Sequence, residues 1–112
     1  MDKKALGDKG EALAVQWLQE HGFSVLAQNW KAGRKEVDII ACKNNCLHFI
    51  EVKTRSDKAF GFGEEQVNRR KMKNIREVAQ AYLEANPQWK RIQFDAIAIE
   101  WNQELRIFED LS

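Results

Sequence analysis

Proline and cysteine are scarce in this sequence. Its 112 residues include one proline and two cysteines. No proline-rich or other low-complexity linker interrupts the chain, so a single domain over residues 1–112 is expected. Two thiols make neither a disulfide scaffold nor, by themselves, a four-ligand zinc site. We therefore expect Cys42 and Cys46 to be reduced and structural.

A charge excess and long hydrophobic runs are also missing. The chain has 18 basic and 17 acidic residues, for a net charge of +1. This balance excludes a protein that coats DNA through overall positive charge, but it leaves room for a local basic patch. No stretch approaches the ~18 apolar residues of a membrane helix. Residues 1–4 lead into no apolar signal core, so we expect a cytoplasmic protein without membrane contact.

The hydrophobic patterns that are present alternate between helical and strand periods. They predict helices over 5–21 and 66–86 and strands over 23–26, 36–43, 46–55, 91–101 and 105–108, with a polar connection at 29–34. The predicted order α β β β α β β indicates an α/β domain. We expect a mixed central β-sheet of about five strands flanked by helices.

The second and third strands are separated by Asn44-Asn45, which suits a two-residue hairpin turn because asparagine tolerates positive φ. In that register Asp38 lies opposite Glu51. Simple alternation then places both carboxylates, together with Glu36 and Lys53, on one face of the sheet.

Opposed carboxylates repel each other, and a divalent cation between them removes the conflict. Lys53 adds an ammonium group suited to stabilising charge on a phosphate. Glu11 lies in an apolar stripe of the first helix and is a candidate third carboxylate. For each group the spacing leaves a structural alternative open. The strand charges could equally form a solvated salt-bridge cluster, and Glu11 could equally face solvent.

Basic residues concentrate at the start of the second predicted helix and beside the carboxylate hairpin. Such clusters suit contact with a phosphate backbone, although an ordinary solvated helix face fits the same pattern. The candidate nucleic-acid-binding residues are Arg34, Arg55, Arg69, Arg70, Lys71 and Lys73.

The chain resembles the YraN family of bacterial proteins. The resemblance rests on "GDKGEALAVQWLQEHGFSVLAQNW" at 7–30, "EVDIIA" at 36–41, "FIEVKTR" at 49–55, "FGFGEEQVNRRK" at 60–71 and "FDAIAI" at 94–99. That family is similar in fold to the PD-(D/E)XK nucleases, which include archaeal Holliday-junction resolvases. The resemblance therefore implies a restriction-endonuclease-like domain.

The resemblance also implies a site. Asp38 matches the nuclease aspartate, Glu51-Val52-Lys53 matches the acid-spacer-lysine half of the motif, and Glu11 matches the helical acid. Catalysis would then use Glu11, Asp38, Glu51 and Lys53, with Mg²⁺ or Mn²⁺ bound by the three carboxylates. The chain departs from the family pattern at Lys35, where glycine is usual, and this puts backbone geometry and substrate fit in question.

The first functional hypothesis is a metal-dependent endonuclease acting on DNA rather than RNA, including branched or structured DNA. Likeness to resolvases suggests a homodimer, because symmetric cutting of two strands asks for two sites. The alternative is a non-catalytic nucleic-acid-binding or scaffold protein that keeps the fold, and a weaker third reading is a protein-interaction domain.

Overall fold

The computed structural model describes residues 3–55, 69–100 and 105–108. These ranges contain two helices and five strands: α1 (Lys3–Glu20), β1 (Ser24–Ala32), β2 (Lys35–Lys43), β3 (Cys46–Arg55), α2 (Arg69–Ala85), β4 (Arg91–Glu100) and β5 (Leu105–Phe108). The predicted order of elements and the mixed α/β class are confirmed. None of the helices in these ranges is long and apolar enough to cross a membrane.

The five strands form one sheet in the order β1-β2-β3-β4-β5. Strands β3 and β4 are parallel, and the other neighbouring pairs are antiparallel. Short turns suffice for the antiparallel pairs, whereas a parallel pair needs a long crossover, here the connection that contains α2. The two helices cover opposite faces of the sheet, each over its own apolar cluster.

The turn at Asn44-Asn45 sets the register of the β2–β3 hairpin. Asn44 and Asn45 have φ values of 53° and 63°, as a type I′ turn requires. Lys43 pairs with Cys46, and the same register continues to Ile39 opposite Ile50. The predicted turn and register are therefore confirmed over these five pairs.

Each face of the sheet buries a separate core. The cluster beneath α1 contains Ala14, Leu18, Ile39, Ala41, Ile50, Ile97 and Ile99. The cluster beneath α2 contains Val37, Ile40, Leu47, Phe49, Met72, Ile75, Val78, Ala79 and Phe94. Burial on both faces explains why the central strands are apolar at both positions of their alternation.

Helix α1 ends in a hydrogen-bonded cap that directs the chain into β1. Gly22 has a φ of 87°, and the Phe23 N–H donates to the Leu18 carbonyl at 2.9 Å. The Gly22 N–H donates to the Gln19 carbonyl, which completes a Schellman motif. The predicted helix end at Gly22 is thereby explained.

Strand β1 is longer than the sequence indicated. The polar connection predicted over 29–34 is wrong, because β1 runs to Ala32 and only Gly33 and Arg34 form the turn into β2. Two irregularities hide the strand pattern: the pairing register shifts around Leu26, and Asn29 has a positive φ of 50°. Pairing with β2 keeps the strand extended despite its polar sequence.

Candidate active site

A cleft of about 330 Å³ lies between the first half of α1 and strands β2 and β3. Three of the four predicted catalytic residues, Glu11, Asp38 and Lys53, line it together. The complete lining consists of Leu6, Gly7, Glu11, Asp38, Val52, Lys53 and Thr54. The sheet and the packing of α1 thus bring together two carboxylates and an ammonium group from three different elements.

The cleft begins where β2 and β3 stop pairing in regular register. Their last regular pair is Ile39 with Ile50. At the next residue of β2, Asp38, a side chain rather than the main chain bonds to β3. The Asp38 Oδ2 accepts a hydrogen bond from the Val52 N–H at 2.7 Å. The carboxylate therefore replaces a main-chain acceptor, and this bond fixes its position beside β3.

The side-chain alternation of β2 changes phase at Asp38. Val37 packs in the cluster beneath α2, whereas Ile39 packs in the cluster beneath α1, although the two residues are two positions apart. Asn29, with its positive φ, stands level with Asp38 on β1 between the pairs Gln28–Ile39 and Trp30–Val37. Regular alternation therefore fails at Asp38, although Asp38 and Lys53, which it was expected to place on one face, both line the cleft.

Helix α1 approaches the sheet closely at Gly10. Gly10 is buried, and a Cβ built on it would overlap Thr54 Oγ1 and lie 3.0 Å from Thr54 Cβ. Only a residue without a side chain fits at this distance. Glu11 follows Gly10 on α1, and Thr54 follows Lys53 on β3. This contact therefore sets the distance between the α1 backbone at Glu11 and the β3 backbone at Lys53.

Glu11 carries an unsatisfied carboxylate oxygen. Its Oε1 is buried and has no hydrogen-bond partner. Burial raises the pKa of the Glu11 carboxyl above its ordinary value, and the nearby Asp38 carboxylate raises it further. A hydrogen bond from the Asn29 side chain opposes these effects. Two acids in one partly desolvated cleft are costly to ionise together unless a cation joins them.

The donor set suits a hard divalent cation. Mg²⁺ and Mn²⁺ favour carboxylate oxygens, and Mg²⁺ is commonly held by one or two carboxylates with water and phosphate completing the shell. Glu11 and Asp38 supply two such groups, and the orphaned Oε1 of Glu11 is an acceptor of the required kind. Within the described ranges, no three His, Cys, Asp or Glu side chains are already grouped so as to hold a metal ion.

Glu51 differs from the other three predicted catalytic residues. It is half-buried on β3 between Ile50 and Val52, both of which pack against the core beneath α1. The cleft is lined by its neighbours Val52 and Lys53, and Glu51 is not part of that lining. Glu51 is therefore adjacent in sequence to Val52, the residue whose N–H bonds to Asp38.

The predicted nucleic-acid-binding residues are only partly described. Arg34 is exposed in the turn between β1 and β2, and Lys73 is exposed on α2. The side chains of the remaining four, Arg55, Arg69, Arg70 and Lys71, lie outside the described residues. Lys35, at the departure from the family pattern, forms an exposed ion pair with Glu77 on α2.

Sequence reasoning missed a buried polar cluster at the other end of β3. His48 Nδ1 and Asp95 Oδ2 are 2.6 Å apart, and both side chains are buried. Gln93 donates a second hydrogen bond to Asp95 Oδ1 at 2.9 Å, and Phe23 packs edge-on against the His48 ring. His48 and Gln93 are paired in the parallel β3–β4 register, which no local pattern reveals.

Comparison with known proteins identifies relatives over most of the chain. A sequence model of the uncharacterised protein family UPF0102 matches residues 10–99. Three similar proteins, each named UPF0102 protein, come from Cytophaga hutchinsonii, Dictyoglomus thermophilum and Alkaliphilus oremlandii. They are 41%, 41% and 42% identical over 93, 100 and 104 residues, covering 83%, 88% and 89% of this chain and 82%, 85% and 87% of the relatives. None of these names states an activity.

Proposed function

The chain belongs to the uncharacterised protein family UPF0102, the YraN family, and on that premise we propose that it is a metal-dependent nuclease. Its substrate is DNA, including branched or structured DNA, and the reaction is hydrolysis of a phosphodiester bond. The observation that carries the proposal is the convergence of Glu11, Asp38 and Lys53 on one cleft, with a buried Glu11 oxygen that lacks a partner. A structural salt-bridge cluster has no use for such an orphaned acceptor.

The cation would be held by Glu11 and Asp38, which line the cleft together, and Glu51, next to Val52 on β3, would have to turn toward the cleft to serve as a third ligand. A bound Mg²⁺ or Mn²⁺ supplies Lewis-acid polarisation of a phosphate oxygen and lowers the pKa of a bound water. Asp38 keeps its orientation through the bond from the Val52 N–H. The Lys53 ammonium stabilises negative charge that builds on the phosphate and orients the attacking water.

We assign contact with the DNA backbone to the basic residues that the sequence singles out. Arg34 and Lys73 present exposed cationic side chains, and we assign the same role to Arg55 and to the start of α2. With a net charge of +1, the protein relies on a local patch rather than on its overall charge. Binding should therefore weaken steeply with salt.

Calorimetric titration with Mn²⁺, and then with Mg²⁺, tests the metal site. Asp38→Ala and Glu51→Ala should each lose cation binding, because each removes a carboxylate ligand. Glu20→Ala is the matched control, since it removes an exposed carboxylate from the last residue of α1. Equal binding by all four proteins would refute the site.

Cleavage assays test the reaction. Linear, flapped and four-way-junction DNAs should be cut in the presence of Mg²⁺ or Mn²⁺, and Lys53→Ala should abolish cutting without abolishing cation binding. Salt-dependent DNA binding with no cleavage of any substrate would favour the alternative function, a non-catalytic nucleic-acid-binding or scaffold protein.

A further inference from the structure

A second and larger groove lies on the opposite face of the sheet from the cleft. It measures about 480 Å³ and runs between α2 and the start of β4. Its apolar lining includes Ala79, Leu83, Ile92 and Phe94. Ile92 is 41% exposed and lies beside the buried Phe94. The groove plays no part in the proposed nuclease site.

The charges along the groove are balanced and widely separated. Arg76 and Glu84 lie two turns apart on α2, with Gln80 midway between them. Neither charged side chain has a hydrogen-bond or ion-pair partner within the described part of the chain. Glu77, on the same helix, is by contrast held by Lys35. A groove with one positive and one negative rim residue is unsuited to a phosphate backbone, which calls for several cations.

We infer that this groove is the contact surface of a homodimer in which two copies of α2 pack antiparallel. A twofold axis through Gln80 places Arg76 of each copy opposite Glu84 of the other, because both residues are four positions from Gln80. A twofold interface has this reciprocal character, in which residue i meets j and j meets i. The two Gln80 amides, each with donors and an acceptor, hydrogen-bond to one another at the axis.

The apolar residues fit the same arrangement. Leu83 and Ile92 of one copy enter the groove of the other, so that exposed apolar surface on both copies is buried. The α2 stripe and the start of β4 line one groove, which offers a single surface for this contact.

Sedimentation velocity over a range of protein concentrations tests the dimer. The wild-type protein should be dimeric at high concentration. Arg76→Glu and Glu84→Arg should each weaken dimerisation by about a hundredfold, because each sets two like-charged pairs across the axis. Glu20→Arg and Lys31→Glu are matched controls, since they change net charge by the same amounts at exposed positions of α1 and β1.

Mixing the two groove variants distinguishes a broken dimer contact from loss of folding, because unfolded variants would not dimerise when mixed. A heterodimer of Arg76→Glu with Glu84→Arg has both opposite-charge pairs restored, so an equimolar mixture should dimerise where each variant alone does not. The double variant carrying both substitutions should dimerise by itself. A monomeric wild-type protein, charge variants that dimerise as well as the wild type, or a mixture that stays monomeric would each overturn the inference.

Discussion

Replacing Gly10 with alanine should destabilise the protein relative to the same replacement at Gly7, although both glycines lie in α1. A Cβ at Gly10 would overlap Thr54 Oγ1 and would lie 3.0 Å from Thr54 Cβ and 3.2 Å from Thr54 Cγ2. Rotation of the Thr54 side chain can move Oγ1 and Cγ2 but leaves the contact with Thr54 Cβ, since the Cβ is fixed to the backbone of β3. At Gly7 an added Cβ has no atom within 4 Å.

The two opposing effects can be compared. Alanine is favoured over glycine inside a helix by about 1 kcal/mol, and this gain applies at both positions. Overpacking a close contact costs about 1–3 kcal/mol, and this cost applies only at Gly10. Gly7→Ala should therefore raise the free energy of unfolding by about 1 kcal/mol, and Gly10→Ala should lie about 1–3 kcal/mol below it.

Urea unfolding followed by circular dichroism measures both variants against the wild type. Thr54→Ala removes Oγ1 and Cγ2 and should recover part of the loss in the Gly10→Ala background, giving a coupling of about 0.5–3 kcal/mol in a double-mutant cycle. Equal stabilisation by Gly7→Ala and Gly10→Ala, or additive effects of Gly10→Ala and Thr54→Ala, would refute the close approach of α1 to β3.

Three further substitutions have defined outcomes in the same urea assay. Without divalent cations, Glu11→Gln should raise the free energy of unfolding at neutral pH by about 0.5–2 kcal/mol. Because the folded-state pKa of Glu11 is raised above its ordinary 4.5, wild-type stability falls as pH rises from 4.5 through that raised pKa. The advantage of the glutamine variant should grow over this window, and a pH-independent difference would contradict the assignment. Asp95→Ala should cost about 1–3 kcal/mol, since it leaves the buried His48 without its partner; a loss as small as that of an exposed residue would argue against the buried pair. Lys35→Ala should change the free energy of unfolding by less than about 1 kcal/mol, because its ion pair with Glu77 is exposed. A larger loss would contradict the expectation that an exposed ion pair contributes little stability.

The β2–β3 hairpin could be predicted because its information is local. Two consecutive asparagines between apolar runs specify a tight turn, and the turn then fixes every pair up to Ile39–Ile50. Helix α1 could be predicted for the same reason, because its apolar spacing and the glycine at its end are both local sequence signals. These two elements position Glu11 and β3, whereas the grouping of Glu11, Asp38, Glu51 and Lys53 into one site was implied by the family resemblance, because spacing alone left solvent-facing alternatives open.

The remainder depends on contacts between distant residues. The irregular backbone at Leu26 and Asn29 breaks the period of β1, so its sequence reads as a connection. The change of phase at Asp38 leaves β2 recognisable as a strand, but it makes the face of the Asp38 side chain unpredictable, because period-two reasoning assumes a regular strand. The hydrogen bond from Val52 that holds Asp38 exists only once the strands separate, and a sequence pattern does not encode that separation.

The turns described for α1, β1, β2 and β3 also bear on how the site assembles. All residues of the cleft lie between Leu6 and Thr54, in a continuous stretch joined by a helix cap and two tight turns. Closing such short loops loses little chain entropy, and local contacts form rapidly. The parallel β3–β4 pair, in contrast, can form only when the long connection that contains α2 has closed. The lining of the candidate cleft is therefore contiguous in sequence, whereas the core that supports it is not, because Ile97 and Ile99 of β4 complete the apolar cluster beneath α1.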